Sequence, residues 1–270
     1  MEKREFQGNL HKMKTTFESP VKYELILNED VINMTKLVGT SIKMSFTGQI
    51  NCVNCGRLTS KSFAQGFCFP CFRDAPQNAE CIIRPELCEA HLGKGRDPEW
   101  EEKNHNQPHV VYLAVSSGIK VGVTRETQVP YRWIDQGASK AIKIAETENR
   151  YQAGMIEVAL KEFASDKTPW QKMLKNEVAT SIDIIETKDL LIEKLDDEWQ
   201  EFASDDDEII EIDYPAIRFP HKVKSHNLDK TPILEGKLEA IKGQYLIFEG
   251  GIVINIRKYG GYFVSLEVEA

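Results

Sequence analysis

Two Cys-x-x-Cys pairs, Cys52–Cys55 in CVNC and Cys68–Cys71 in CFPC, flank the stretch GRLTSKSFAQGF. Each pair puts two thiolates on one tight turn, and two such knuckles close a tetrahedral four-sulfur site suited to zinc. Gly56, directly after the first pair, fits a turn of that kind. Redox chemistry would use a single pair beside a strand–helix–strand pattern, which is missing here. A site closed by four thiolates keeps no open position, so the expected zinc is structural. Further along, CIIRPELCEAH supplies Cys81, Cys88 and His91, with His105 and His109 beyond it. Cys81, Cys88 and two of these histidines would make a second metal site. Buried thiols and solvated histidines are the competing reading.

These ligands need a scaffold, and the segment 51–109 offers little apolar material of its own, so metal-nucleated loops are expected there. Strands flank it. Residues 1–50 contain VKYELIL and GTSIKMSF, in which apolar and polar residues alternate. Residues 216–270 read as GKLEAIKG, QYLIFEGG, GIVINIRKY and GYFVSLEV, punctuated by glycines, which predicts a small antiparallel sheet or barrel. One echo links the two ends. VINMTKLVGTSIKMSF at 31–46 matches VINIRKYGGYFVSLEV at 253–268 in its Val-Ile-Asn, a lysine and a glycine. A related pair of strand sets would pack into one β unit.

Between them, VVYLAVSSGIKVGVT at 110–124 reads as a hairpin around Ser-Ser-Gly. A short helix entered through Pro130 follows, then a strand-like segment. ENRYQAGMIEVALKEFASD has Met155, Ile156, Ala159, Leu160 and Phe163 at helical spacing. TPWQKMLKNEVATSI predicts another helix, with Thr168 as N-cap and Pro169 in its first position. Leu190, Leu191, Leu195 and Trp199 mark an amphipathic helix, and SDDDE after it reads as a solvated loop.

The net charge is −8. It is unevenly spread: about 0 over 1–110, +3 over 111–175, −13 over 176–215 and +2 over 216–270. A phosphate-binding face is therefore compatible with the acidic total, and its place would be 111–175. No apolar run is long enough to span a bilayer, and MEKREFQGNLHKMK lacks the apolar core of a signal peptide. Free, metal-patterned cysteines agree with a cytoplasmic protein.

The run from 110 to about 163 resembles the core of the GIY-YIG nucleases, a small α/β domain. Tyr112 in VVY matches the tyrosine of the first motif. Lys120-Val121-Gly122 with Thr124 stands where that family has Tyr-Ile-Gly and a threonine, so a lysine replaces the second tyrosine. Arg132 in VPYRW and Glu157 in AGMIEVAL match the family's arginine and glutamate. The resemblance implies catalytic roles for four residues: Tyr112 assisting water, Lys120 beside it, Arg132 on the phosphate and Glu157 holding Mg²⁺ or Mn²⁺. Ordinary roles compete at each position. Tyr112 would be an amphipathic strand residue, Lys120 an edge charge and Glu157 a partner of Lys161. Arg132 would stack on Trp133 or pair with Asp135. In WIDQGA, Asp135 and Gln136 either reach the hairpin or serve packing and a helix cap. Asp166 and Lys167 stand near Glu157 or simply form a helix–helix turn.

The chain as a whole also resembles a bacterial family defined only as a domain of unknown function, with the same order of knuckles, VYLA…KVG, WIDQGA and GKL…IKGQYLIF. The resulting expectation is an α+β protein with a GIY-YIG-like core, a preceding zinc ribbon and flanking antiparallel strands. Its segments are 1–50, 51–109, 110–182, 183–215 and 216–270. Its partner is DNA or RNA, and no membrane is involved. It is a zinc-binding, nucleic-acid-directed protein, either a Mg-dependent phosphodiesterase, a non-catalytic binding module or a factor that modifies a nucleic acid such as tRNA.

Overall fold

The computed structural model describes residues 3–164 and 169–269. In chain order the first strands are β1 (Lys3–Asn9), β2 (Lys14–Thr16), β3 (Lys22–Leu27), β4 (Asp30–Asn33) and β5 (Ser41–Ile50). Helices α1 (Phe69–Asp74) and α2 (Pro98–His105) follow, with one-turn 3₁₀ segments between them. The middle of the chain gives β6 (His109–Val115), β7 (Ile119–Arg125), α3 (Tyr131–Asp135), β8 (Lys140–Thr147) and α4 (Arg150–Lys161). Next come α5 (Trp170–Leu174), α6 (Ile184–Ile192), α7 (Asp197–Gln200) and β9 (Ile210–Glu211). The last strands are β10 (Lys224–Ser225), β11 (Ile233–Lys242), β12 (Tyr245–Phe248), β13 (Ile252–Asn255) and β14 (Tyr262–Glu269).

The chain forms two compact units. One comprises Met1–Arg73, Ile134–Gly137 and Ile212–Ala270, the other Asp74–Trp133 and Ala138–Glu211. This division differs from the five segments drawn from the sequence. The stretch 51–109 is shared between the units, and both terminal strand sets lie in one.

That first unit has a sheet in the order β1-β14-β5-β11-β12-β13-β10 and a second in the order β2-β3-β4. Both orders have two ends, so no closed barrel forms among the described residues. Strict alternation fixes which side is buried: Tyr23, Leu25 and Leu27 on β3, and Val264 and Leu266 on β14, are wholly covered.

The echo between 31–46 and 253–268 is present in the backbone. β4 and β13 each run into a one-turn 3₁₀ helix, Thr35–Leu37 and Ile256–Tyr259, and then into β5 and β14. Asn33 Oδ1 accepts the Lys36 N–H at 3.1 Å, and Asn255 Oδ1 accepts the Lys258 N–H at 3.3 Å. Gly39 and Gly261, which correspond, both have positive φ, 100° and 82°. β5 and β14 pair antiparallel with Met44 opposite Leu266, while Ile42 faces Val268 and Phe46 faces Val264. Met44 and Leu266 are themselves corresponding residues. A ladder centred on such a pair is what a two-fold relation between copies requires. The hairpins β3–β4 and β12–β13 precede the two 3₁₀ turns in the same order. The first unit is a duplicated strand set.

The second unit is built on a sheet in the order β7-β6-β8-β9. Its hairpin closes at Ser116–Gly118, with Val115 opposite Ile119 and Tyr112 opposite Gly122. Val111, Leu113 and Val115 on one face pack with Ala153, Ile156 and Leu160 of α4 and Leu191 of α6. Asn149 caps α4 by accepting the Gln152 N–H at 3.1 Å, and Asp183 caps α6 through Ile185 and Glu186. α4 ends at Lys161, so Phe163 lies beyond it and is exposed. α5 starts at Trp170 with Pro169 at its cap rather than inside it. Thr168, Asp166 and Lys167 lie outside the described residues. The acidic loop is more than solvated charge: buried Lys188 reaches the Asp206 carbonyl at 2.9 Å and the Asp207 carboxylate at 2.7 Å, and Lys143 pairs with Glu146 and Asp206.

Candidate metal centres and the hairpin site

The four cysteines of the two knuckles come together. The Sγ atoms of Cys52, Cys55, Cys68 and Cys71 all lie within 4.8 Å of one another. The first knuckle is a turn in which the Gly56 N–H meets the Cys52 carbonyl at 2.8 Å. The second opens α1, where the Phe72 N–H meets the Cys68 carbonyl at 2.8 Å. Cys55 and Cys68 are 3.8 Å apart at sulfur. Tetrahedral zinc with thiolate bonds of about 2.3 Å has sulfurs roughly 3.8 Å apart, so the spacing suits the ion. Burial raises the Cys52 thiol pKa, but the N–H groups of Cys68, Cys55 and Asn54 outweigh it and bring it down to about 6. A ready thiolate is the form that binds metal. Beside the knuckles, Phe63 packs with Phe69 and Phe72 at 5.6 and 5.7 Å between ring centres, and Phe69 is 54% exposed. The Lys61 ammonium sits over the Phe63 ring at 5.1 Å.

Of the looser set, Cys81, Cys88 and His105 assemble, and Glu101 joins them. His91 and His109, expected as ligands, do not. His91 is exposed and stacks on Tyr151 at 4.8 Å. His109 is turned to the backbone, its Nδ1–H donating to the Gln107 carbonyl at 2.7 Å. Glu101 escaped the sequence reading because glutamates are usually solvated. The readable signal was its place one helical turn before His105, which puts both side chains on one face of α2.

At the hairpin, the matched residues fall on the expected elements: Tyr112 on β6, Gly122 on β7, Arg132 in α3 and Glu157 in α4. Tyr112 is completely buried against Trp133, at 5.7 Å between rings. Its ring crosses Gly122 so closely that a Cβ there would lie 2.6 Å from the tyrosine oxygen. Lys120 lies opposite Ala114, diagonal to Tyr112 on the same face. The face against which α4 packs is the other one, formed by Val111, Leu113 and Val115. Tyr112 is wholly covered, so no open cleft forms around its ring.

Glu157 has its own surroundings. Its carboxylate is 3.4 Å from Lys161, the ordinary partner one turn on. Burial raises its pKa, while Lys161, Arg150 and Lys120 act in the opposite sense. Arg150 in turn lies within electrostatic reach of both Glu157 and Arg132. Among the described residues the Arg132 guanidinium makes no hydrogen bond and no ion pair. Asp135 does not pair with it. Asp135 contacts Lys12, and accepts the Gln244 Nε2–H at 2.9 Å, so its carboxylate is committed to these two partners.

A mixed α+β protein of several sheets carrying a clustered set of four cysteines is the class these features define. A family model matches residues 39–264, and the chain belongs to that family, described as Protein of unknown function (DUF2797). No curated protein and no solved structure matches it, so the likeness to the GIY-YIG core is not confirmed. None of the six cysteines is in a disulfide, and among the described residues no helix is long and apolar enough to cross a membrane.

Proposed function

We propose that this is a zinc-holding, nucleic-acid-binding protein of a thiol-keeping compartment such as the cytoplasm. In this reading Cys52, Cys55, Cys68 and Cys71 hold a structural zinc, and phosphates dock at Arg132. The observation that carries it is the Arg132 guanidinium, which makes no hydrogen bond or ion pair among the described residues, with Arg150 and Lys120 within electrostatic reach of Glu157. A planar guanidinium without a carboxylate partner is suited to fork onto a phosphate. Binding without cleavage is favoured over hydrolysis because Tyr112, the water-assisting residue of the nuclease resemblance, is sealed from solvent.

The test is anisotropy titration of labelled single- and double-stranded DNA and RNA against salt, for the wild type and Arg132→Ala. Losing one phosphate contact lowers the salt slope by roughly 0.7–0.9 and weakens binding to all sequences alike. No binding at low salt, or an Arg132→Ala variant indistinguishable from wild type, refutes the proposal. Cleavage with Mg²⁺ or Mn²⁺ that disappears in Glu157→Ala would instead establish the phosphodiesterase.

A further inference from the structure

We infer that the chain binds a second zinc ion, held by Cys81, Cys88, His105 and Glu101. The site is independent of the four-cysteine cluster and of the nucleic-acid reading. Its donors come from separate short elements: Cys81 from the 3₁₀ turn Glu80–Ile82, Cys88 from the end of the turn Pro85–Leu87, and Glu101 and His105 from α2. One ligand atom from each lies within 4.8 Å of all the others. His105 Nδ1 is 3.6 Å from Cys88 Sγ and 3.9 Å from Cys81 Sγ, and it also contacts Glu101 Oε2. Bonds of about 2.0–2.3 Å to a tetrahedral zinc put the ligand atoms roughly 3.3–3.8 Å apart, close to the two nitrogen–sulfur spacings.

Burial supplies the second argument. Glu101 is 2% exposed and its Oε1 has no hydrogen-bond partner, while Cys88 and His105 are equally enclosed at 2% and 3%. A carboxylate taken out of water needs a counter-charge or a full set of donors. The nearby cation, Arg150, is engaged elsewhere, its Nε and Nη2 donating to the carbonyls of Cys81 and Ile82, each at 3.0 Å. A divalent ion among the four groups answers that need. The apolar residues around it, Ala79 and Ala90 with Tyr151, are too few to enclose buried thiols and a buried acid for packing alone.

The donor set selects the metal. Two thiolates, an imidazole and a carboxylate suit a borderline ion such as zinc and exclude magnesium and calcium, which take oxygen. Trp100 meets the His105 ring edge-on at 5.1 Å, and Asp97 caps the helix by accepting the Trp100 N–H at 3.1 Å. Arg150 then ties the ligand loop to the first residue of α4, the helix that carries Glu157.

The experiment is metal stoichiometry by mass spectrometry on the full-length chain purified without chelator. Two zinc ions per wild-type chain are expected, and one in Cys52→Ser/Cys55→Ser. Cobalt bound to that variant should show thiolate charge-transfer absorbance for two sulfurs, not four. Glu101→Ala keeps two thiolates and the imidazole, so it tests the ligand without emptying the site. In a competition with a chromophoric chelator, it should weaken one of the two ions by more than the roughly 10–100-fold typical of an outer-shell partner. One zinc per folded wild-type chain overturns the proposal. So does cobalt absorbance without thiolate character in Cys52→Ser/Cys55→Ser, or a Glu101→Ala variant that holds both ions as tightly as wild type.

Discussion

His109 shows how a residue type can mislead. A histidine near clustered cysteines reads as a ligand, yet this one is wholly buried on β6 with its Nε2 unpartnered. Burial pushes its pKa down to about 3, and nearby Arg150, His105 and Arg125 add to that against the raising effect of the Gln107 carbonyl. Its ring is neutral in the folded chain and takes up a proton near pH 6.5 in the unfolded one. Between those values the unfolded state binds more protons, so stability is full above pH 6.5 and falls as pH drops below it. His109→Asn keeps a donor for Gln107 but cannot titrate. Denaturant unfolding of both proteins from pH 7.5 to 5 should show a shallower decline in the variant, and parallel declines would refute the assignment. Tyr112 teaches the same lesson from the other side. The motif tyrosine is a core residue, and Gly122 is the glycine its ring requires.

At the level of elements, α4 joins the sheet to the second cysteine loop. Its Ile156–Leu160 side packs on β6 and its Gly154 side rests on the 3₁₀ turn at Pro85–Leu87. A Cβ at Gly154 would lie 2.3 Å from the Glu86 nitrogen and 2.4 Å from the Pro85 carbonyl carbon. Two effects compete in Gly154→Ala. Helix propensity favours alanine by about 1 kcal/mol. Forcing a methyl into backbone that cannot swing aside costs about 1–3 kcal/mol or more. The clash is with main chain, so a net loss of stability is expected in urea unfolding. A stabilised variant would mean that α4 does not seat on that turn.

For the molecule as a whole, the two-fold relation between strand sets makes a prediction that neither copy makes alone. Asn33 and Asn255 hold equivalent 3₁₀ turns by the same hydrogen bond. Asn33→Ala and Asn255→Ala should each cost about 1 kcal/mol, the usual value of such a cap. A loss of several kcal/mol in one and none in the other, read from denaturant midpoints, would break the equivalence. The second unit is built from residues lying between the copies in sequence.

The residues that the sequence determined by itself are those whose geometry is local. Cys-x-x-Cys spacing fixes two thiolates on one turn whatever surrounds it, and two apolar runs either side of a Ser-Ser-Gly turn fix the hairpin. Val-Ile-Asn with its following lysine was legible as a repeat because the cap it forms spans three residues. Tertiary structure decided what depends on burial and on distant partners. Only packing selects Glu101, among so many glutamates, to be enclosed beside Cys81 and Cys88. Only packing, with the Trp133 ring tilted against it, takes the motif tyrosine out of solvent. β1 finds β14 at the other end of the chain because their alternating faces close the same core. Local pattern sets which face of an element is apolar, but not which distant face will cover it.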